Sequence, residues 1–210
     1  MQVACVLYDE FTMLDIVGPF QFLQAAGHEC LWVAPEAGPV LDHTRSMPMT
    51  AGQALAEVTD PDIVVLPGGL HTSSHFGGPI RDWLQDVHQR TSWTTSVCTG
   101  SLLLADAGLL DGLTATGHWA AMEQLGNLGA VTSEERVIMH KDERIVTAAG
   151  VSSGIDMALV LLAEIDGVPA AEAAQLALEY DPQPITDAGS PAKAGPELVA
   201  LLQGFFAGSL

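Results

Sequence analysis

The sequence predicts an α/β domain in which a single doubly wound, mostly parallel sheet carries helices on both faces. Three observations predict it. Short apolar runs recur along the chain and read as strands buried on both sides, as parallel strands are. Helical segments separate nearly every pair of these runs, the pattern of repeated βα units. The third observation is size: 210 residues, 48% hydrophobic and 16% charged, suit one domain with a large core.

The elements follow in order. Residues 3–8 (VACVLY) form a first buried strand. Gly18-Pro19 opens a helix that Gly27 stops after Ala26, since Pro suits a helix start and Gly the position past its end. Residues 28–35 form a second strand, and 39–44 with the stretch near Met49 form short strands around a turn. Residues 62–66 (DIVVL) are the clearest buried strand, ended by Pro67-Gly68-Gly69. Residues 79–90 are amphipathic and helical. Residues 94–97 form a strand, 99–107 a helix stopped at Gly108, 111–117 lead into another short strand, and 118–125 form a helix. Lys141-Asp142 turns a hairpin between 136–140 and 143–149. Residues 150–164 form a helix and another follows Pro169. Residues 181–196, rich in Pro, Gly and Asp, wrap the domain before a short helix over 197–206. The whole chain, 1–210, is assigned to one domain, with 181–210 as its C-terminal wrap and helix.

Seven basic against 26 acidic residues give a formal charge of −19. A surface this acidic repels nucleic acid and anionic membranes, so neither is expected as a partner. Cys5, Cys30 and Cys98 are widely spaced, with no C-x-x-C pair and no disulfide framework. No basic leader precedes the first strand, and no apolar run is long enough to span a bilayer. A reduced, cytoplasmic protein is the expectation.

In an open α/β sheet, ligands bind beyond the carboxyl ends of the strands. Three candidates follow strands. Cys98 stands between the 94–97 strand and the next helix, in "SVCTG". Such a turn holds its middle residue strained and exposed at the top of the sheet, and Gly100 permits close backbone approach. The helix dipole favours a thiolate there, and the Thr99 N–H is aimed at developing charge. The alternative is that Cys98 is inert core. Asp15, flanked by Leu14, Ile16 and Val17 in the loop after strand one, either caps the following helix or has a raised pKa. Pro67-Gly68-Gly69-Leu70 offers unobstructed backbone N–H groups. No phosphate-binding glycine motif is present. His71 and His75 read as rim histidines rather than metal ligands, and His118 either lines the site or packs on Trp119. Cys5 and Cys30 read as core.

These pieces resemble the ThiJ/PfpI superfamily, single-domain flavodoxin-like relatives of the class I glutamine amidotransferases. "LDIVGP" (14–19), "LPGG" (66–69), "SVCTGSLLLADAGLLDG" (96–112), "HW" (118–119), "GID" (154–156) and "AGSP" (188–191) carry the resemblance, which spans nearly the whole chain. Within the superfamily the pattern is most similar to the isocyanide hydratases. That resemblance implies Cys98 as nucleophile, Asp15 as its acid/base partner, and Thr99 binding substrate or intermediate. It places Gly69, Leu70, Gly150 and Val151 beside the thiol, with Val151 on a helix packed near it. It implies cysteine-dependent hydration of a small organic isocyanide to an N-substituted formamide, with no cofactor and no metal, by a homodimer. Val17, Gly117 and Val151 depart from the pattern, which has Thr, Thr and Ile there. Thr99 stands where peptidase and deglycase-like members often have His. A glyoxalase-like hydrolase and a cysteine redox sensor remain open. The cysteine block is also similar to the sensor half of AraC-type regulators, but no basic C-terminal stretch follows it.

Overall fold

The computed structural model describes residues 1–206; the last four positions of the expected C-terminal wrap, 207–210, lie outside the described residues. Its strands are β1 (Gln2–Val6), β2 (Glu29–Ala34), β3 (Gly38–Leu41), β4 (Pro48–Ala51), β5 (Gln53–Ala54), β6 (Ile63–Leu66), β7 (Trp93–Val97), β8 (Thr114–Ala115), β9 (Val131–Thr132), β10 (Val137–His140) and β11 (Ile145–Ala148). Its helices are α1 (Met13–Ala25), α2 (Pro79–Val87), α3 (Gly100–Asp106), α4 (Met122–Asn127), α5 (Ser153–Ile165), α6 (Val168–Ala177), α7 (Pro191–Ala194) and α8 (Pro196–Phe206).

Seven strands form the main sheet in the order β10-β11-β7-β6-β1-β2-β5. All neighbours are parallel except β10 and β11, the antiparallel hairpin expected at Lys141-Asp142. Helices α1, α5 and α6 pack together, and α2, α3 and α4 form a second group. The central strands are apolar for the reason given by the sequence: β6 is buried at every residue, as is β1 from Val3 onward. β7 is buried too although it reads WTTSV. Its polarity is satisfied in part within the sheet, where Thr95 Oγ1 donates to the Val64 carbonyl at 2.9 Å.

The helix expected over 118–125 is delayed to Met122 by a tight turn at 119–121, that expected over 79–90 ends at Val87, and two further boundaries that differ from the sequence reading bear on the site. α1 starts at Met13, so Gly18-Pro19 lies inside it and Asp15 sits in its first turn rather than in a loop. The Gly-Pro pair serves packing. A Cβ on Gly18 would lie 3.1 Å from Ile155 Cγ1, and one on Gly154 would lie 3.1 Å from Pro19 Cγ and 3.0 Å from Val97 Cγ2. The "GP" and "GI" segments are thus the point where α1 and α5 cross closely. α5, in turn, starts at Ser153, three residues later than its apolar pattern suggests. Residues 149–152 are taken up by a turn, which leaves Val151 off the helix.

Sheet order fixes where a site can form. β2 and β5 lie on one side of β1, and β6, β7 and β11 on the other, so the strand order reverses at β1. The carboxyl ends of β1, β6, β7 and β11 open on one edge beside that reversal, where open α/β sheets bind ligands.

Candidate active site

Cys98 directly follows β7 with φ = 61°, a left-handed conformation costly for a residue with a Cβ. The elbow is held on three sides. The Cys98 N–H donates to the Ala149 carbonyl at 2.7 Å and to that of Ala148 at 3.1 Å. Its carbonyl accepts from Ser101 Oγ at 3.1 Å. Gly100 lies so close to the end of β6 that a Cβ there would meet the Leu66 carbonyl at 2.6 Å. Gly68 is equally constrained: its Cβ would fall 2.5 Å from the Thr99 nitrogen. The glycines flanking both strand ends let the two loops touch.

Asp15 is fully buried, and Asp15 Oδ2 accepts the Gly68 N–H at 2.8 Å. Asp15 Oδ1 has no conventional hydrogen-bond partner. Asp15 and the Cys98 thiol instead act on one another: burial pushes the carboxyl up to about 7, moderated by the Gly68 N–H and by the thiol. Burial and the neighbouring Asp15 raise the thiol well above its ordinary value. The backbone N–H groups of Thr99 and Val151, which face the sulfur, oppose this rise. The expected helix-dipole effect is therefore outweighed. Burial of a 5% exposed sulfur beside a carboxyl exceeds what a seven-residue helix and two N–H groups return. Near neutrality the pair titrates as one unit, losing its first proton around the carboxyl's value.

The proposed backbone donors sort differently from the sequence reading. The Gly68 N–H is taken by Asp15, the Gly69 N–H by Thr99 Oγ1 at 2.9 Å, and the Leu70 N–H by the Glu10 carbonyl at 3.2 Å. None of the three is free for a substrate; this loop orients Asp15 and Thr99 instead. The Thr99 hydroxyl is likewise committed, 2.7 Å from Thr72 Oγ1 and 3.0 Å from the Gly69 carbonyl. Its N–H is the group of Thr99 that favours the thiolate. Gly150 adjoins His118, whose Cδ2 would lie 3.1 Å from a Cβ there. His118 is mostly buried, which lowers its pKa and keeps it neutral, and its ring meets Phe206 edge-on at 5.0 Å.

Other histidines are engaged elsewhere. His71 Nδ1 pairs with Glu10 Oε2 at 2.8 Å, and His75 Nε2 lies 3.2 Å from the Asp9 carbonyl. Among the described residues, no group of three or more His, Cys, Asp or Glu side chains could hold a metal ion. The cleft between Trp119 and residues such as Ser190, Leu198 and Leu202 is lined by neither Cys98 nor Asp15. Three supporting residues escape a sequence reading. Tyr8 donates to the Pro67 carbonyl at 2.9 Å, Thr72 to the Gly69 carbonyl at 2.9 Å, and Ser101 braces the elbow. Ser101 also accounts for Gly117, because a Cβ at 117 would run into its hydroxyl. Only Ser101 leaves a signal, its i, i+3 spacing from Cys98.

The buried carboxyl has a consequence for stability. Between the unfolded value of 3.8 and the folded value of about 7, the native state holds a proton that the unfolded state has released. Stability therefore falls as pH rises through that window and stays reduced above it. Asp15→Asn removes the penalty while keeping an acceptor for the Gly68 N–H. Its melting temperature is expected to exceed wild type by roughly 5 °C or more at pH 8 and to match it near pH 4, as differential scanning fluorimetry would show.

Comparison with known proteins agrees with this architecture. The model of the DJ-1/PfpI family matches residues 1–164. Isonitrile hydratase of Pseudomonas putida is 34% identical over 198 residues, covering 91% of this chain and 83% of that one. The HTH-type transcriptional regulator CdhR of Pseudomonas aeruginosa is 27% identical over 77% of this chain but only 50% of its own. The crystal structure of a ThiJ/PfpI family protein from Pseudomonas syringae superposes with a TM-score of 0.92 at 31% identity, covering 98% of this chain and 86% of that one.

Proposed function

Since the chain belongs to the DJ-1/PfpI family, we propose that its Cys98–Asp15 pair hydrates a small organic isocyanide to the N-substituted formamide. One observation carries the reading: a buried carboxyl poised at about 7 shares its titration with the elbow thiol, with no histidine following the cysteine. An isocyanide carbon accepts a nucleophile and a proton at the same atom, and this pair supplies both. The substrate's slender, linear end group suits a sulfur that is nearly buried. Identity to the isonitrile hydratase supports the same reaction class.

The chemistry balances with these residues alone. Transfer of the thiol proton to Asp15 gives a thiolate, stabilised by the Thr99 and Val151 N–H groups. Sulfur bonds to the isocyanide carbon while Asp15 protonates that carbon, giving R–N=CH–S–Cys98. The Asp15 carboxylate then takes a proton from water as the water oxygen adds to the carbon, and passes that proton to the nitrogen, giving R–NH–CH(OH)–S–Cys98. Collapse of this adduct breaks the C–S bond. R–NH–CHO leaves, and the pair regains its starting protonation.

The homodimer implied by the resemblance has a suitable surface in α8. There Leu198, Leu201, Leu202 and Phe205 form an exposed apolar stripe at helical spacing. Among the described residues no helix is long and apolar enough to cross a membrane.

The test is direct. Purified protein is mixed with a small aryl isocyanide, and separately with an α-oxoaldehyde, and products are followed by chromatography. Formamide from the first supports the proposal. Turnover of the oxoaldehyde alone replaces it with the glyoxalase-like reading.

A further inference from the structure

Residues 149–152 form a turn that no helix holds, and it closes on the elbow: the Ala149 carbonyl accepts the Cys98 N–H at 2.7 Å, and the Val151 N–H of the same turn faces the sulfur and favours the thiolate. The supports of this turn are all visible. On its N-terminal side, the Ala149 N–H donates to the Arg136 carbonyl at 3.0 Å and the Ala149 carbonyl accepts from Cys98. On its C-terminal side, the same Arg136 extends its guanidinium across the turn. Arg136 Nη2 donates to Ser152 Oγ at 3.2 Å, and Arg136 Nε pairs with the Asp156 carboxylate in the first turn of α5. Asp156 is itself fixed by Tyr180, whose hydroxyl donates to Oδ1 at 2.9 Å. The Tyr180 ring meets Phe22 of α1 edge-on at 5.7 Å. One arginine thus spans the turn, and one carboxylate joins it to α5 and to the segment after α6.

Stability alone gives this cluster little purpose. The Arg136 and Asp156 side chains are 49% and 30% exposed, and ion pairs this wet contribute little to folding. Their placement on either side of Val151 gives them another. We propose that Arg136 and Asp156 are positioning residues that hold the 149–152 turn, and with it the Val151 N–H, against the Cys98 elbow, a role resting on Cys98 being the nucleophile.

The experiment reads the thiol without needing turnover. Iodoacetamide alkylation of Cys98 is followed from pH 6 to 10.5 by mass spectrometry of the peptide that contains it. Asp15 and Tyr8, the titratable groups facing the sulfur from α1 and from the end of β1, are kept in every variant. Loss of one N–H donor raises the thiol midpoint; a one-unit rise slows alkylation about tenfold at pH 8. Asp156→Asn and Arg136→Met are both expected to raise it, Tyr180→Phe to raise it less, and Arg136→Lys to restore part of the rate.

The sign separates positioning from simple charge. Through-space electrostatics would make the thiol more acidic in Asp156→Asn and less acidic in Arg136→Met, so opposite shifts overturn the proposal. Unchanged profiles in both overturn it too. Asp86→Asn, which breaks the comparable surface pair between Asp86 of α2 and Arg90 just beyond it, serves as the control and leaves the profile unchanged. Should wild type make no formamide, the hydratase reading fails while this readout still decides the positioning role.

Discussion

Cys98→Ala is expected to lower formamide formation by at least about 10³-fold, with the fold and melting temperature retained. The residue is small and nearly buried, and alanine fills most of its place, so loss of activity is separable from loss of structure. Alanine also relieves nothing at φ = 61°, because it carries the same Cβ. What disappears is the atom that bonds to the isocyanide carbon. Cys98→Ser is expected to be as inactive, since a buried hydroxyl ionises far less readily than a thiol. Circular dichroism alongside the kinetic assay checks both points. Activity within tenfold of wild type in Cys98→Ala would remove the covalent step.

Asp15→Asn is expected to cost about 10²–10⁴-fold in kcat/KM, the usual worth of a positioned acid and base. Its pH dependence is the sharper signature. Wild-type kcat/KM rises with pH through about 7, as the Cys98–Asp15 pair loses its first proton. It reaches a plateau and falls at high pH when the second proton is lost and no acid remains. In Asp15→Asn the limb near 7 is absent, and the remaining rise follows the thiol alone. Taken with the higher melting temperature expected of this variant at pH 8, one carboxyl both lowers stability and supplies the chemistry. That is a common arrangement at functional sites.

The sequence and the structure part company at particular residues, each for a physical reason. The strands were legible because β1 and β6 are buried on both faces and read as unbroken apolar runs. The elbow was legible because a strand run stops at Cys98 and helical spacing resumes within two residues. Gly18-Pro19 misled because the same pair marks a helix start or a close helix crossing, and only the partner at Gly154 tells which. Gly150 and Val151 carry the spacing of the helix that follows. Their true place in a turn depends on bonds to Arg136 and Cys98, far away in the sequence. The Gly68-Gly69-Leu70 loop has the composition of an anion cradle, yet its N–H groups are already spent. Hydrogen-bond partners across a sheet edge leave no trace in local composition. The thiol's titration departs from the dipole expectation for a related reason. A dipole can be read from where a helix starts, but the burial that outweighs it is a property of the packed fold.

The central claim is a covalent thioimidate on Cys98. It is tested most directly by mixing wild type with one equivalent of an aryl isocyanide and quenching in acid over a series of times. The peptide that contains Cys98 is then weighed by mass spectrometry. The account predicts a transient gain equal to the whole mass of the isocyanide, located on Cys98 and decaying as formamide appears. Formamide released through the full single turnover while Cys98 stays unmodified at every time point would contradict it.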